Sequence, residues 1–171
     1  MFEIIKRLFD ICLFKKGPQD LPPYTIFLYL VIAANVVISF MLLHMGNGFL
    51  KSLLQAATGL GLELAFCGIA LMAIGKLARF TQTASALLGV DTLITFFALP
   101  VMATMYTGQG GVVVFLLMVG LIIWHWAIIG HIMRHALGQH ISFGLGLALL
   151  YMVASYKIMA LLFPELPDVV N

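Results

Sequence analysis

Four ionisable side chains fall inside otherwise apolar stretches of this chain: Glu63, Asp91, His125 and Lys157. A charge at the centre of a membrane helix costs about 2.5–3.5 kcal/mol on insertion scales, so such groups turn inward, pair, or line a watery path. Two kinds of chemistry suit the set. Opposite charges in pairs fix helix register and partner choice. Titrating groups in series carry protons or ions. A second group is denser. The stretch WHWAIIGHIMRHALGQH, residues 124–140, holds four of the five histidines. His131 and His135 stand one helical turn apart, a spacing that can hold one metal. The stretch has no H-E-x-x-H pattern, and no second histidine within a span shares the depth of His125, as paired haem ligands would. We read His131, Arg134, His135 and His140 as the polar cytoplasmic end of a helix, complementing its negative dipole end. No metal and no cofactor are expected.

The elements that must position these groups follow from composition. The chain has 171 residues, 63% hydrophobic and 9% charged, and its mean hydropathy is +1.10. Soluble domains carry about 25% charged residues, so this chain cannot cover itself in water. The expected fold class is an all-α integral membrane protein. A helix needs roughly 20 apolar residues to cross a bilayer, and five stretches qualify: 24–44, 52–75, 83–105, 112–133 and 142–163. Turn-forming separators lie between them, among them MGNG, YTGQGG and RHALGQH. Pro100 predicts a kink within the third span. Trp124 and Trp126 belong either to an inner aromatic belt or between spans. A net charge of +2 with no basic face argues against nucleic acid. Cys12 and Cys67 stand alone, which argues against thiol redox chemistry. Neither a G-x-S-x-G nor an H-E-x-x-H motif is present, so no enzyme is expected.

The chain divides into residues 1–16, 17–23 and 24–171. In the first, Glu3, Lys6, Arg7 and Asp10 alternate with Phe2, Ile5, Leu8, Phe9 and Cys12 at helical spacing, with Glu3–Arg7 and Lys6–Asp10 as i,i+4 pairs. That pattern predicts an amphipathic helix at the cytoplasmic membrane surface, either in the interface or packed on the protein. The linker GPQDLPP predicts a turn: Gly17 ends the helix in a left-handed conformation, Pro18, Pro22 and Pro23 stop it, and Asp20 bonds nearby amides.

Orientation follows from basic residues near the span ends. Lys6, Arg7, Lys15, Lys16, Lys76, Arg79 and Arg134 fall on one side, against Lys51 on the other. The N-terminus is therefore expected in the cytoplasm and the C-terminal PELPDVVN in the periplasm. Counting from the inner ends at 1.5 Å per residue puts Asp91 at ~11 Å, His125 at ~12 Å, Asn35 at ~16 Å, Glu63 at ~18 Å and Lys157 at ~22 Å. These depths predict two clusters: Asp91 with His125, and Glu63 with Lys157 and Asn35. Small residues predict helix packing within the bundle or between copies: Ala57, Gly61 and Ala65 on the second span, Ser85 and Gly89 on the third, Gly144 and Ala148 on the fifth. The internal bundle is the more economical of the two.

Two stretches, GPQDLPPY at 17–24 and FTQTASALLGVD at 80–91, resemble small proteobacterial inner-membrane proteins grouped with the Yip-type domain. The resemblance implies five membrane helices and a cytoplasmic N-terminus, and it supplies no active-site residues. Two functions fit the whole chain. The first is an accessory, scaffold or assembly factor of the bacterial inner membrane, acting through a membrane-protein partner or a second copy of itself. The second is a small oligomeric proton-coupled transporter or channel using Glu63, Asp91, His125 and Lys157.

Overall fold

The computed structural model describes residues 2–164. The C-terminal tail from 165 onward, expected outside the membrane, lies beyond the described residues. The described chain is all-helical: α1 (Phe2–Cys12), α2 (Thr25–His44), α3 (Phe49–Ala73), α4 (Phe80–Tyr106), α5 (Val112–Leu137) and α6 (Ile141–Leu162), with short 3-10 turns at Pro18–Asp20 and Leu77–Arg79. The five helices α2 to α6 are each long and apolar enough to cross a membrane.

Observed limits depart from the expected spans mainly at the ends carrying the 13–24, 76–80 and 137–141 connections, here called the proximal end. The other end, with the 44–49 and 106–112 turns, is the distal end. Helix α5 runs one turn past residue 133, so Arg134 and His135 lie within the helix along with His131. It stops at Gly138, whose φ of 68° gives the left-handed cap that glycine adopts without strain. The ammonium of Lys76 closes this corner, donating to the Leu137 carbonyl at 2.7 Å. Helix α4 continues through Pro100.

Helix α4 is the hub. It packs on α1, α2, α3 and α5, and α6 packs on α5 and α3. Two close approaches set the geometry. Gly144 of α6 lies against the backbone of α5: a Cβ there would meet the Gly130 carbonyl oxygen at 2.3 Å. Ala148, one turn on, is fully buried. A Cβ on Gly89 would meet Leu8 at 2.7 Å, so α1 rests directly on α4, with Ser85 fully buried one turn away. The Ala57–Gly61–Ala65 ridge, expected inside the bundle, faces outward instead. The inward stripe of α3 is Ser52, Ala56, Glu63, Cys67 and Leu71. Gly61 sits two residues from Glu63, about 200° round the helix.

The N-terminal segment is held by side chains of α4 and α5 that donate to its carbonyls. Trp124 Nε1 reaches Cys12 at 3.1 Å, Gln82 Nε2 reaches Leu21 at 3.0 Å, and His131 Nε2 lies 3.0 Å from the Lys16 oxygen. Ile11, Cys12 and Leu21 of this segment are buried. Two local expectations are corrected. The left-handed residue is Phe14 (φ 60°), since α1 ends at Cys12, and Gly17 is extended. Asp10 pairs with Lys16 at 3.3 Å and Arg7 donates to the Asp20 carbonyl, so neither makes the expected pair within α1. Asp20 does bond a nearby amide, that of Gly17, at 2.9 Å.

Candidate functional site

The histidine-rich stretch is spent on joints. His131 is buried, its Nε2 against the Lys16 carbonyl and its ring edge-on to Phe14, with centroids 5.3 Å apart. The expected polar end is thus exposed only at Arg134 and His140, while His135 is half-buried. The N-terminal segment crosses this end of α5 and covers His131 through Phe14 and Lys16. The rings of His131 and His135 lie 4.6 Å apart at 70° to one another. Both tryptophans pack between elements: Trp126 Nε1 donates to the Leu145 carbonyl of α6 at 3.0 Å.

The other polar groups gather in mid-bundle. Asn35 of α2 is buried and donates from Nδ2 to Asp91 Oδ2 at 2.8 Å. The second carboxylate oxygen of Asp91 lies 3.5 Å from His125 Nε2, an ion pair whenever the imidazole is protonated. Thus α2, α4 and α5 meet at one carboxylate, and both of its oxygens are engaged. Asn35 belongs with Asp91, rather than with Glu63 as its depth predicts.

Glu63 of α3 is different. Only 6% of it is exposed, yet it has no hydrogen-bond or ion-pair partner among the described residues. The expected Lys157 partner is elsewhere. Tyr151 and Met159 are the residues of α6 that line the cavity beside Glu63. Lys157 lies six residues past Tyr151, about 240° round the helix, and it is exposed on the outer face. Depth along the axis predicted that pair, but rotation about the axis separates it.

Glu63 and Asp91 line one cavity of about 220 Å³. Asn35 and Ser39 contribute from α2, Gln55 and Gly59 from α3, Thr95 from α4 and Tyr151 from α6. The lining extends to Leu42 and Leu43 at the distal end of α2, so the cavity runs from mid-bundle toward the distal end. On the proximal side the interior is solid: Leu71, Leu88, Ile128 and Ile132 are fully buried within about two turns of Glu63, Asp91 or His125. The lining holds two carboxylates and neither lysine nor arginine. Gln55 Oε1 is buried there without a hydrogen-bond partner.

Gln55, Ser39, Thr95 and Tyr151 were not singled out from the sequence, although a signal for three of them exists. Ser39 and Thr95 lie one turn from Asn35 and Asp91, and Gln55 lies two turns from Glu63. Residues four apart share a helix face, so the polar stripes were present in the spacing. Tyr151 has a polar neighbour at that spacing in Ser155, but none of the residues singled out from the sequence. Comparison with protein-family models, curated proteins and solved structures finds no match for the chain.

Proposed function

We propose that this five-helix protein is a small proton-coupled transporter of the bacterial inner membrane, with Glu63 as the group that changes its charge. The observation that carries this reading is the contrast between two carboxylates on one cavity. Asp91 is held by Asn35 and His125. Glu63 has no partner among the described residues and is almost wholly buried. A buried carboxyl without a fixed partner is the group on this cavity left free to take up or exchange a proton or a cation. The cluster of basic residues at the proximal end supports a cytoplasmic position for it, with the cavity opening toward the periplasm. Loading is then from the periplasm, and release inward requires the packed proximal interior to part. Lys157 drops out of the set first named for this function, because it lies on the outer face.

The test is proton uptake into liposomes holding the purified protein and an internal pH dye, with an inward proton gradient and a potassium diffusion potential. Glu63→Gln should reduce uptake to that of empty liposomes, while Lys157→Met leaves it near wild type. Equal uptake by wild type and Glu63→Gln would remove this function.

A second reading rests on the outward Ala57–Gly61–Ala65 ridge. Small residues at this spacing let helix backbones approach closely in lipid. They support contact with a second copy or another membrane protein, the accessory or scaffold role. The Yip-type resemblance fits either reading. A stoichiometric partner in gentle purification from native membranes, lost in Gly61→Leu, would favour this second reading.

A further inference from the structure

We propose that the cavity between α2, α3, α4 and α6 binds a small organic monovalent cation of the ammonium type, which displaces the proton of Glu63. This rests on the transport reading above and adds the class of substrate. Three observations lead there.

The first is charge. Two carboxylates face the cavity with no lysine or arginine in its lining. His125 beside Asp91 can neutralise one of them. One negative charge remains to be matched, either by a proton on Glu63 or by one monovalent cation. The second is size. A space of about 220 Å³ is far larger than a bare metal ion needs. Among the described residues no three histidine, cysteine or acidic side chains converge as a metal site would require. The third is the wall. Leu42, Leu43, Leu60 and Met159 line the space together with the ring of Tyr151, which stacks on Phe66 at 4.5 Å. An apolar wall with an aromatic ring and a carboxylate suits an alkylammonium ion, which keeps hydrocarbon around its charge and favours ring faces. The unpartnered Gln55 Oε1 adds a dipole that cations favour.

The exchange balances simply. The O–H bond of the Glu63 carboxylic acid breaks, its proton leaves to water, and the carboxylate left behind pairs with the incoming cation. No electron moves. Gly59 lies one turn from Glu63 on the same wall, and a Cβ there would meet nothing within 4 Å. A larger side chain at 59 therefore fills the cavity without forcing the helices apart.

The test uses the whole protein in weakly buffered detergent, with tetramethylammonium chloride added and pH recorded. Tetramethylammonium is permanently charged, so it carries no proton of its own. Wild type should release about one proton per bound cation, and sodium chloride at equal strength should release far less. Glu63→Gln should abolish release and weaken tetramethylammonium binding roughly thirtyfold or more, as loss of a buried charge partner does. Gly59→Leu should block tetramethylammonium yet keep Glu63-dependent proton uptake into liposomes, which also shows that the variant folds. Equal release by sodium would overturn the organic class in favour of an inorganic ion. No release with either salt, while liposomes still show Glu63-dependent proton uptake, would overturn the ligand and leave the transport reading standing. Loss of both would remove the two together.

Discussion

The two ends of this bundle handle polar groups in opposite ways. At the proximal end lie His131, His135 and His140 and most of the basic residues, and the polar side chains there largely end on backbone carbonyls. Gln82, Trp124 and His131 tie down the N-terminal segment, and Lys76 closes the end of α5. The Thr83 and Ser85 hydroxyls are the exceptions, buried without partners. Toward the distal end the cavity has fewer polar groups, but among the described residues Gln55 Oε1 is buried without a partner and Glu63 makes no hydrogen bond or ion pair. A dense cluster of titratable residues is therefore a poor guide to chemistry in this chain. What separates joint from site is whether each group already has a partner, because an unsatisfied buried group costs more than a hydrogen bond typically gains.

If the proximal half is a set of joints, changing it should alter stability and leave proton movement intact. The largest effect is expected at Gly144→Ala. The added methyl would press on the Gly130 carbonyl, and overpacking of this kind costs about 1–3 kcal/mol. Gly146→Ala is the control, since nothing lies within 4 Å of its Cβ position. Melting temperature in detergent reads both, and equal melting of the two variants would mean that α5 and α6 do not approach as described. A smaller loss, about 1 kcal/mol, is expected from Trp124→Phe, which removes the bond to the Cys12 carbonyl.

The same joint can be followed chemically. Burial pushes the Cys12 thiol up to about 11, so it is a neutral thiol at pH 7–8 and should react slowly with maleimide. The sign follows directly: a thiol held neutral in the fold stays protected below its ordinary value near 9 and loses that protection as pH rises toward 11. Trp124→Phe should speed labelling at pH 7.5 by loosening the segment over Cys12. Unchanged labelling would place the hold on α1 elsewhere. The smallest effect is expected at Lys157→Met, which removes an exposed charge from the outer face. Its melting temperature should stay level or rise, and a marked fall would revive a buried partner for Lys157.

Much of this architecture is legible in the sequence, and the limit is a physical one. Hydropathy and turn residues place all five long helices within a few residues, because crossing a bilayer demands both length and apolarity. Depth along each helix puts Asp91 level with His125, and the two meet at 3.5 Å. Depth says nothing about rotation, however, and rotation decides that Lys157 points outward while Asn35 joins Asp91. In the sequence the GPQDLPP linker and the FTQTASALLGVD stretch are separate motifs. In the fold they touch, through Gln82 on the Leu21 carbonyl and a shared cleft lined by Pro18, Gln19, Gln82 and Thr83. No spacing within one helix could reveal that contact.

The central claim is that Glu63 carries the proton that this cavity exchanges. Infrared difference spectroscopy of the reconstituted protein, titrated across neutral pH, measures this directly through the carbonyl stretch of a protonated carboxylic acid. The account predicts such a band at pH 7 in wild type, kept in Asp91→Asn and absent in Glu63→Gln. A band that survives Glu63→Gln and vanishes in Asp91→Asn would contradict it, and would make Asp91 the proton carrier.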